Sequence, residues 1–200
     1  MNRKPTLLWV IALLFLGACS TKTEPAPKDA TPAKKDSAAA AEPTRVAEAG
    51  QANGTLTVSG QPVQLAYAYA VRVPGSFDKT TQDIQVIVTD KPVPAEVLEG
   101  LRKLDMDIDD CFNKVALSIR GLPEIDVQGM YLRIDSEKRI TSRSPHHHAL
   151  ENTSISMGGG EGGEFTIEED SITGKSASDN PEFTHPWSYN VSFKAWLKKT

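Results

Sequence analysis

The chain contains only two cysteines, few aromatic residues and no excess of basic charge. Cys19 and Cys111 are too few and too far apart for a disulfide framework or a cysteine-based zinc site. The formal net charge of −4 argues against a nucleic-acid-binding protein, because such proteins usually carry a basic surface. A hydrophobic share of 39% and a charged share of 24% are instead typical of a soluble globular domain of ordinary size.

A short apolar run near the N-terminus ends at a cysteine. Two basic residues, Arg3 and Lys4, precede residues 7–16, which are too few to cross a bilayer core of roughly 30 Å as a helix. The run closes on the sequence Leu-Gly-Ala-Cys at residues 16–19. A basic N-terminal region, a short apolar segment and small residues after that segment predict a cleavable export signal.

These four residues resemble the lipobox of bacterial lipoproteins, in which a leucine and two small residues precede the modified cysteine. The resemblance implies a signal peptide at residues 1–18, cleavage after Ala18, and lipidation of the Cys19 thiol and of the new amino group. An ordinary secretory signal that contains a cysteine is the alternative. Because Ser20 and not aspartate follows the cysteine, the resemblance implies an outer-membrane anchor facing the periplasm, or the outer leaflet of a single-membrane host.

The segment after the cysteine is polar and of low complexity. Residues 19–50 are rich in alanine, proline and lysine, contain no aromatic residue, and balance basic against acidic side chains. Such a composition cannot bury enough apolar surface to offset the entropy of ordering the chain. We therefore expect a disordered linker that spans roughly 30 Å on average.

Alternating apolar and polar residues predict a β-rich globular domain over residues 51–200. Residues 54–73 read as two strands joined by a turn at residues 59–62. The second of these strands is predicted to place one apolar set on a single face: Val63, Leu65, Tyr67, Tyr69, Val71 and Val73. Further strands are predicted at 83–90, 114–121, 129–135, 138–144, 153–157, 164–169, 171–177 and 187–199.

One helix is predicted, opening at Pro92 and Pro94. Its apolar stripe follows helical spacing and consists of Val97, Leu98, Leu101 and Leu104. A proline is well tolerated in a first helical turn. Many short strands, turns rich in glycine, proline and aspartate, and a single helix together predict an antiparallel β-sandwich or barrel-like domain.

The two ends of this domain resemble an uncharacterised family of secreted and lipid-anchored bacterial β-domains. The resemblance rests on "LAYAYAVRV" and "VIVTDKP" near the start and on "YNVSFKAWL" at the end. It covers about a third of the domain and its motifs are structural. The resemblance supports the β-fold and implies no particular activity.

Three adjacent histidines raise the possibility of a metal site. In an extended chain His146 and His148 point the same way and His147 points the opposite way. Zinc needs three or four ligands that converge at about 2.0–2.1 Å for nitrogen. His146, His148 and the distant His185 are therefore the candidate ligands for zinc or copper, provided that the fold brings their loops together. A polar surface loop is the alternative.

Two other features suggest chemistry less strongly. The acidic run 105–110 begins like a calcium loop, but its sixth position is Asp110 instead of glycine and its twelfth is Ala116 instead of glutamate. We expect a solvated turn there. Cys111 follows these carboxylates, whose negative charge disfavours a reactive thiolate, so a small buried side chain is expected.

The glycine-rich stretch 158–164 is not a phosphate-binding loop, because neither a Gly-Lys-Ser/Thr ending nor a helix pattern follows it. A flexible hairpin tip between two strands is expected there. No Gly-x-Ser-x-Gly nucleophile motif occurs in the sequence either.

The sequence therefore predicts a lipid-anchored envelope protein whose β-domain has a non-catalytic binding or structural role. Its expected partners are the membrane, through the lipid on Cys19, and an envelope protein or component, but no nucleic acid. No cofactor is expected under this interpretation. The alternative is a periplasmic zinc- or copper-binding lipoprotein that uses His146, His148 and His185. A hydrolase with residues scattered along the chain is a third and weaker hypothesis.

Overall fold

A computed structural model of the protein describes residues 48–151, 153–160 and 162–198. The predicted signal peptide, Cys19 and most of the predicted linker lie outside the described residues. The first strand begins at Gly50. The sequence predicts the start of the domain at residue 51 and the first alternating residues at 54.

In the described residues nine strands form one sheet. Their bounds are β1 Gly50–Val58, β2 Gln61–Pro74, β3 Gln82–Thr89, β4 Gly129–Ile134, β5 Ile140–His146, β6 Met157–Gly160, β7 Gly163–Ile167, β8 Ser171–Asn180 and β9 Trp187–Lys198. The strand order across the sheet is β6-β5-β4-β3-β2-β1-β9-β8-β7, and all neighbours in this order are antiparallel. A short parallel contact adds Ala70 and Val71 of β2 to the end of β9.

The sheet is curled into a half-barrel. Strands β6 and β7 are its two outer edges, yet only two residues separate them in the chain, so the chain holds the facing ends of the edges within about 10 Å. This mainly antiparallel, barrel-like architecture confirms the predicted fold class. It also shows that the glycine-rich stretch joins opposite edges, so the predicted hairpin tip is wrong.

Both faces of β3 are buried: every residue from Asp83 to Thr89 is buried, including the polar Asp83, Gln85 and Thr89. The concave face holds the main core, to which Ile84, Val86 and Val88 of β3 contribute. A second core lies on the convex face beneath the helical segments and is built from Tyr69, Ile87, Tyr131, Val93, Ala95, Val97, Leu101, Ile108, Cys111 and Leu117. The central strands therefore have the main core on one face and the second core, with the helical layer, on the other.

Strand β2 does not keep one apolar set on one face. Val63 and Leu65 pack in the main core, whereas Tyr67, Tyr69 and Val71 pack in the second core under the helical layer. The change coincides with a β-bulge, where two residues of β1, Ala52 and Asn53, lie opposite one residue of β2, Ala66. Bulges re-aim the side chains that follow them, and strict alternation along the sequence cannot anticipate this.

Helix α1, Ala95–Lys103, confirms the predicted helix. Val97 and Leu101 are buried and Leu98 is half-buried, as its apolar stripe requires. Leu104 lies one residue beyond the helix and is exposed. The stripe therefore ends a turn earlier than the sequence spacing predicted.

The predicted strand at 114–121 is wrong, because residues Lys114–Ile119 form a second short helix, α2. The side chain of Asn113 accepts a hydrogen bond from the backbone N–H of Ala116 and caps this helix. Leu117 alone turns inward, while Val115 and Ile119 are 68% and 76% exposed. A strand would have placed all three on one face.

The last strand has the faces that its sequence predicts. One set faces the main core and is buried: Trp187, Tyr189, Val191, Phe193, Ala195 and Leu197. The alternate residues from Ser188 to Trp196 lie on the convex face. The predicted strand at 153–157, in contrast, is nearly absent, because β6 starts only at Met157 and the carbonyl of Ile155 instead accepts a hydrogen bond from Ser144 Oγ.

Candidate binding cleft

The three predicted metal ligands are held by three different partners. His146, at the end of β5, places Nε2 2.9 Å from Oδ1 of Asp109. Its ring also stacks on Phe112, with the ring centroids 4.1 Å apart. Asp109 and Phe112 belong to a 3₁₀ segment, Ile108–Phe112, so His146 fastens part of the helical layer to the edge of the sheet.

His148 makes a similar contact with another carboxylate. Its Nε2 lies 2.8 Å from Oδ1 of Asp126, and Lys91 Nζ lies 3.2 Å from the other oxygen of that carboxylate. His147 uses Nδ1 to accept a hydrogen bond from the backbone N–H of Ala149. Burial, followed by the nearby charge of His148, lowers the pKa of His147.

His185 lies far from the triplet along the strands. Its Nδ1 lies 3.4 Å from Ser59 Oγ, just beyond the end of β1. His146 lies instead at the level of Gln51, at the other end of β1, because paired residues in β4, β3 and β2 connect the two positions across the sheet. About 23 Å of strand separates Gln51 from Val58 at roughly 3.3 Å per residue. In the described residues no group of three or more histidine, cysteine, aspartate or glutamate side chains is placed to hold a metal ion.

The acidic run folds as the start of the 3₁₀ segment and not as a simple solvated turn. Oδ1 of Asp107 accepts a hydrogen bond from Gln85 Nε2, and Oδ2 of Asp110 accepts one from the backbone N–H of Asp107. Partial burial raises the pKa of Asp110, and the neighbouring Asp107 and Asp109 raise it further despite this hydrogen bond. These carboxylates therefore serve to fix the segment.

Cys111 is a small buried side chain, as predicted. It is a free thiol with no exposed surface, packed in the core beneath the helical layer. Burial raises its pKa well above the ordinary value, and the charges of Asp109 and Asp110 raise it further. At neutral pH the thiol is protonated, which makes it a poor nucleophile.

A cleft of about 270 Å³ lies between helix α1 and the end of β9. Its floor is the convex face of the sheet, where Tyr69, Val71 and Val73 of β2 lie beside Gln85 of β3. One wall comes from the helical layer and contains Leu98, Leu101, Arg102, Asp105, Met106 and Ile108. Trp196 and Glu48 stand on the opposite side. We call this surface the Trp196 cleft.

Two polar groups on the floor of the Trp196 cleft are already engaged. Tyr69 accepts a hydrogen bond at its hydroxyl from the backbone N–H of Val93, at 2.9 Å. Burial raises the pKa of Tyr69, so this hydroxyl is neutral. The Gln85 side chain is fully buried and binds both Asp107 and the backbone N–H of Ile108. These bonds fix the floor to the helical wall and give the cleft a preformed shape.

The rim of the Trp196 cleft carries aromatic and charged side chains. Trp196 is 41% exposed, and Lys194 Nζ lies 5.1 Å from the centroid of its ring. The Arg72 side chain is held in place because one of its terminal nitrogens donates hydrogen bonds to the backbone carbonyl oxygens of Glu168 and Glu169. Arg102, on the helical side, makes no ion pair with any described residue.

A second depression, of about 440 Å³ but more open to solvent, lies on the convex face of β1, β9 and β8. Asn53, Thr55, Lys175, Asn190 and Ser192 line it, together with backbone and Val191. This surface is open and polar. The Trp196 cleft combines apolar walls with an exposed aromatic ring and is the better candidate for binding.

No protein-family model matches the chain, and neither a curated protein nor a solved structure is detectably similar to it. The lipobox and the family of secreted β-domains therefore stay predictions that rest on the sequence. Within the described part of the chain, no helix is both long enough and apolar enough to cross a membrane.

Sequence reasoning missed the cleft. Trp196 alternates with the buried residues of β9 and lies on the opposite face of the strand, but nothing along the chain connects it with Met106 or Val71. The parallel contact between the ends of β9 and β2 brings Trp196 beside the helical layer. One feature of the sequence could have indicated a binding surface: Trp196 is an aromatic residue on a strand face that is otherwise polar.

Proposed function

We propose that this protein is a non-catalytic binding module, held at the bacterial cell envelope by lipid on Cys19 and facing the periplasm. Its partner is an envelope protein or component that docks at the Trp196 cleft. The observation that carries this proposal is an exposed tryptophan beside a preformed, mainly apolar cleft. Exposed apolar concavities with an aromatic rim are typical of recognition sites.

A binding role is favoured over catalysis by how the polar groups of the cleft are used. Tyr69 and Gln85 are bound to the protein itself, and Cys111 lies beneath the helical layer with its thiol protonated. A catalytic site brings together titratable groups that face the reacting molecule. The charges of this cleft stand instead on its rim, where they select and orient a partner.

The position of the cleft is compatible with a tethered protein. Glu48, at its edge, is the first described residue and lies near the end of the predicted linker, 29 residues after Cys19. A flexible linker of that length spans roughly 30 Å on average. A protein anchored at Cys19 would thus hold the cleft within reach of partners in or near the membrane.

The location is tested by fractionation of cells that carry the wild-type protein or Cys19→Ser. We expect the wild-type protein in the membrane fraction, with a lipid-modified N-terminal cysteine by mass spectrometry, and the variant in the soluble fraction. Equal fractionation of the two, or an unmodified Cys19 in the wild-type protein, would contradict the anchor.

The binding role is tested with a photo-crosslinking amino acid placed at the rim position 102. The control position is 175, an exposed lysine on the convex face of β8. We expect irradiation of intact cells to give a discrete adduct from position 102 and none of that mass from position 175. No adduct from either position, or the same adduct from both, would contradict binding at the cleft.

A further inference from the structure

We propose that the domain rests on the surface of the lipid bilayer through the loop that joins β2 to β3, residues 75–81, with Phe77 inserted among the lipids. This inference rests on the lipid anchor of the proposed function and concerns a different surface from the Trp196 cleft. Three observations lead to it: the exposure of Phe77, the hydrogen bonds that fix the loop, and the end of the sheet at which the chain enters the domain.

Phe77 is the most exposed large apolar side chain of the described residues, at 91%. The residues that follow it, Asp78, Lys79 and Thr80, are polar and also exposed. A phenyl ring held in water gains free energy when it enters an apolar environment. Where protein segments lie on a membrane, side chains such as phenylalanine and tryptophan enter the boundary between headgroups and acyl chains by about 5–10 Å. A single projecting ring matches that depth.

The loop around Phe77 is fixed by its own hydrogen bonds. The backbone N–H of Gly75 donates to the carbonyl of Thr81, and the backbone N–H of Thr81 donates to the carbonyl of Asp78. The Asp78 carboxylate accepts hydrogen bonds from the backbone N–H and the hydroxyl of Thr80, at 2.8 and 2.7 Å. The backbone is therefore bonded on both sides of Phe77, and the ring is presented outward from a defined loop.

The base of the loop is joined to the sheet. The backbone N–H and the hydroxyl of Ser76 donate to Oδ2 of Asp83, at 3.0 and 3.2 Å. Arg133 Nε donates to the same oxygen at 2.8 Å, and a terminal nitrogen of Arg133 donates to the carbonyl of Pro74 at 2.9 Å. Because the loop is already ordered, its tip can bind without the entropic cost of ordering a flexible segment.

The loop lies at the end of the sheet where the chain enters the domain. Gly50, the first residue of β1, pairs with Ala68 of the antiparallel β2. From there β2 runs to Pro74, about 20 Å farther toward the side from which the chain arrives, at roughly 3.3 Å per residue. A chain anchored at Cys19 would therefore hold this end of the domain nearest the bilayer, within the roughly 30 Å that its linker spans on average.

Charge neither drives nor opposes this contact. The loop has one acidic and one basic side chain, Asp78 and Lys79, and the neighbouring turn at residues 135–139 has two of each. The phenyl ring is therefore the group that favours the bilayer, and we expect the contact to form on zwitterionic lipid and to persist at high salt. One ring alone binds a bilayer weakly, but the anchor makes the contact intramolecular, so that a weak contact suffices.

The test uses the full-length lipidated protein in phosphatidylcholine vesicles that contain no other protein. Lys79→Cys places an environment-sensitive fluorophore beside Phe77. The label is specific, because Cys111 has no exposed surface and the lipidated Cys19 has no free thiol. The control position is Gln61→Cys, an exposed residue at the opposite end of β2. Quenching by spin-labelled lipid reports contact between the labelled position and the bilayer.

We expect the spin-labelled lipid to quench the fluorophore at position 79 by at least half and the fluorophore at position 61 hardly at all. Phe77→Ser should abolish the quenching at position 79, and Phe77→Leu should retain it. The matched control is Val115→Ser, which removes another apolar side chain that is 68% exposed and should leave the quenching unchanged. Both serine variants should keep the melting temperature of the wild-type protein, since both side chains lie on the surface.

Three results would overturn the inference: no quenching at position 79, equal quenching at positions 79 and 61, or undiminished quenching in Phe77→Ser. Contact that forms only on anionic lipid and disappears at high salt would overturn it too, because the lysines and not the ring would then hold the loop.

Failure of the inference can be told apart from failure of the proposed function. Lipidated protein that sediments with the vesicles but shows no quenching at position 79 means that the inference alone is wrong. If the wild-type protein carries no lipid and does not sediment with the vesicles, the proposed anchor is wrong, and the inference that depends on it is wrong as well.

Discussion

The imidazole ring of His146 lies flat on the phenyl ring of Phe112, with the ring centroids 4.1 Å apart and the planes 6° from parallel. One residue comes from the end of β5 and the other from the 3₁₀ segment that also supplies Ile108 to the Trp196 cleft. The stack, together with the contact to Asp109, joins the helical layer to the sheet. A residue predicted as a metal ligand thus has a structural role.

We expect His146→Ala to lower the free energy of unfolding by about 1–3 kcal/mol. The substitution removes an aromatic stack worth about 0.5–1.5 kcal/mol and a hydrogen bond of similar net value. Urea denaturation measures the change. The control is His148→Ala, whose side chain is 56% exposed and whose pairing with Asp126 is worth at most about 1 kcal/mol. Equal losses for both variants would contradict the role of the stack.

Leu117 distinguishes the observed helix α2 from the strand that the sequence predicted. We expect Leu117→Ala to destabilise the protein by about 2–5 kcal/mol, because the side chain is fully buried. Ile119→Ala should change the stability by less than about 0.5 kcal/mol, since that side chain is on the surface. Thermal and urea denaturation of the two variants give the comparison. Similar losses at both positions would indicate a strand that buries both.

Cys111 should resist alkylation in the folded protein. Its thiol is inaccessible and its pKa is raised by burial and by two nearby carboxylates. Iodoacetamide at pH 8, applied to the Cys19→Ser protein so that one thiol remains, should leave the native protein unmodified by mass spectrometry. The same reagent in guanidinium chloride should modify it fully. Rapid labelling without denaturant would show that the helical layer opens readily over this site.

Asp135 should make stability depend on acidic pH. Partial burial raises its pKa, but hydrogen bonds from the backbone and side chain of Arg139 and from the backbone N–H of Glu137 outweigh this, and the net pKa is lowered from 3.8. A lowered folded-state pKa contributes stability that is fully present above the unfolded pKa and is lost as the pH falls through the folded value.

The measurement is the stability difference between the wild-type protein and Asp135→Asn from urea denaturation at several pH values. We expect a constant difference between pH 5 and 7 that shrinks as the pH falls below about 4. The exposed Glu137→Gln is the control and should show little of this dependence. A difference that is the same at pH 3 and pH 6 would contradict the contribution of the Asp135 carboxylate.

The parts of the fold that follow from local pattern could be predicted from the sequence. The alternation from Trp187 to Leu197 gave the correct faces of β9, and the stripe from Val97 to Leu101 gave helix α1. The pattern failed at β2, where a bulge in β1 changes which face is buried. It also failed at residues 114–119, whose apolar residues alternate as in a strand, whereas in the structure Asn113 caps a helix there.

The site depends on contacts that no local pattern contains. Trp196 and Met106 come together because the end of β9 pairs with β2 and helix α1 crosses above them. The histidines were predicted from their chemistry alone, which is compatible with binding a carboxylate as well as a metal. In the structure His146 and His148 contact Asp109 and Asp126, carboxylates more than twenty residues away in the sequence.

Hydrogen exchange of the protein in isolated cell envelopes, compared with the purified protein, tests most directly whether the Trp196 cleft receives a partner. We expect slower backbone exchange in envelopes for residues 95–112 and for the end of β9, with the rest of the domain unchanged apart from the loop at residues 75–81. Identical exchange in the two samples, or slowing confined to the convex face of β7 and β8, would contradict it.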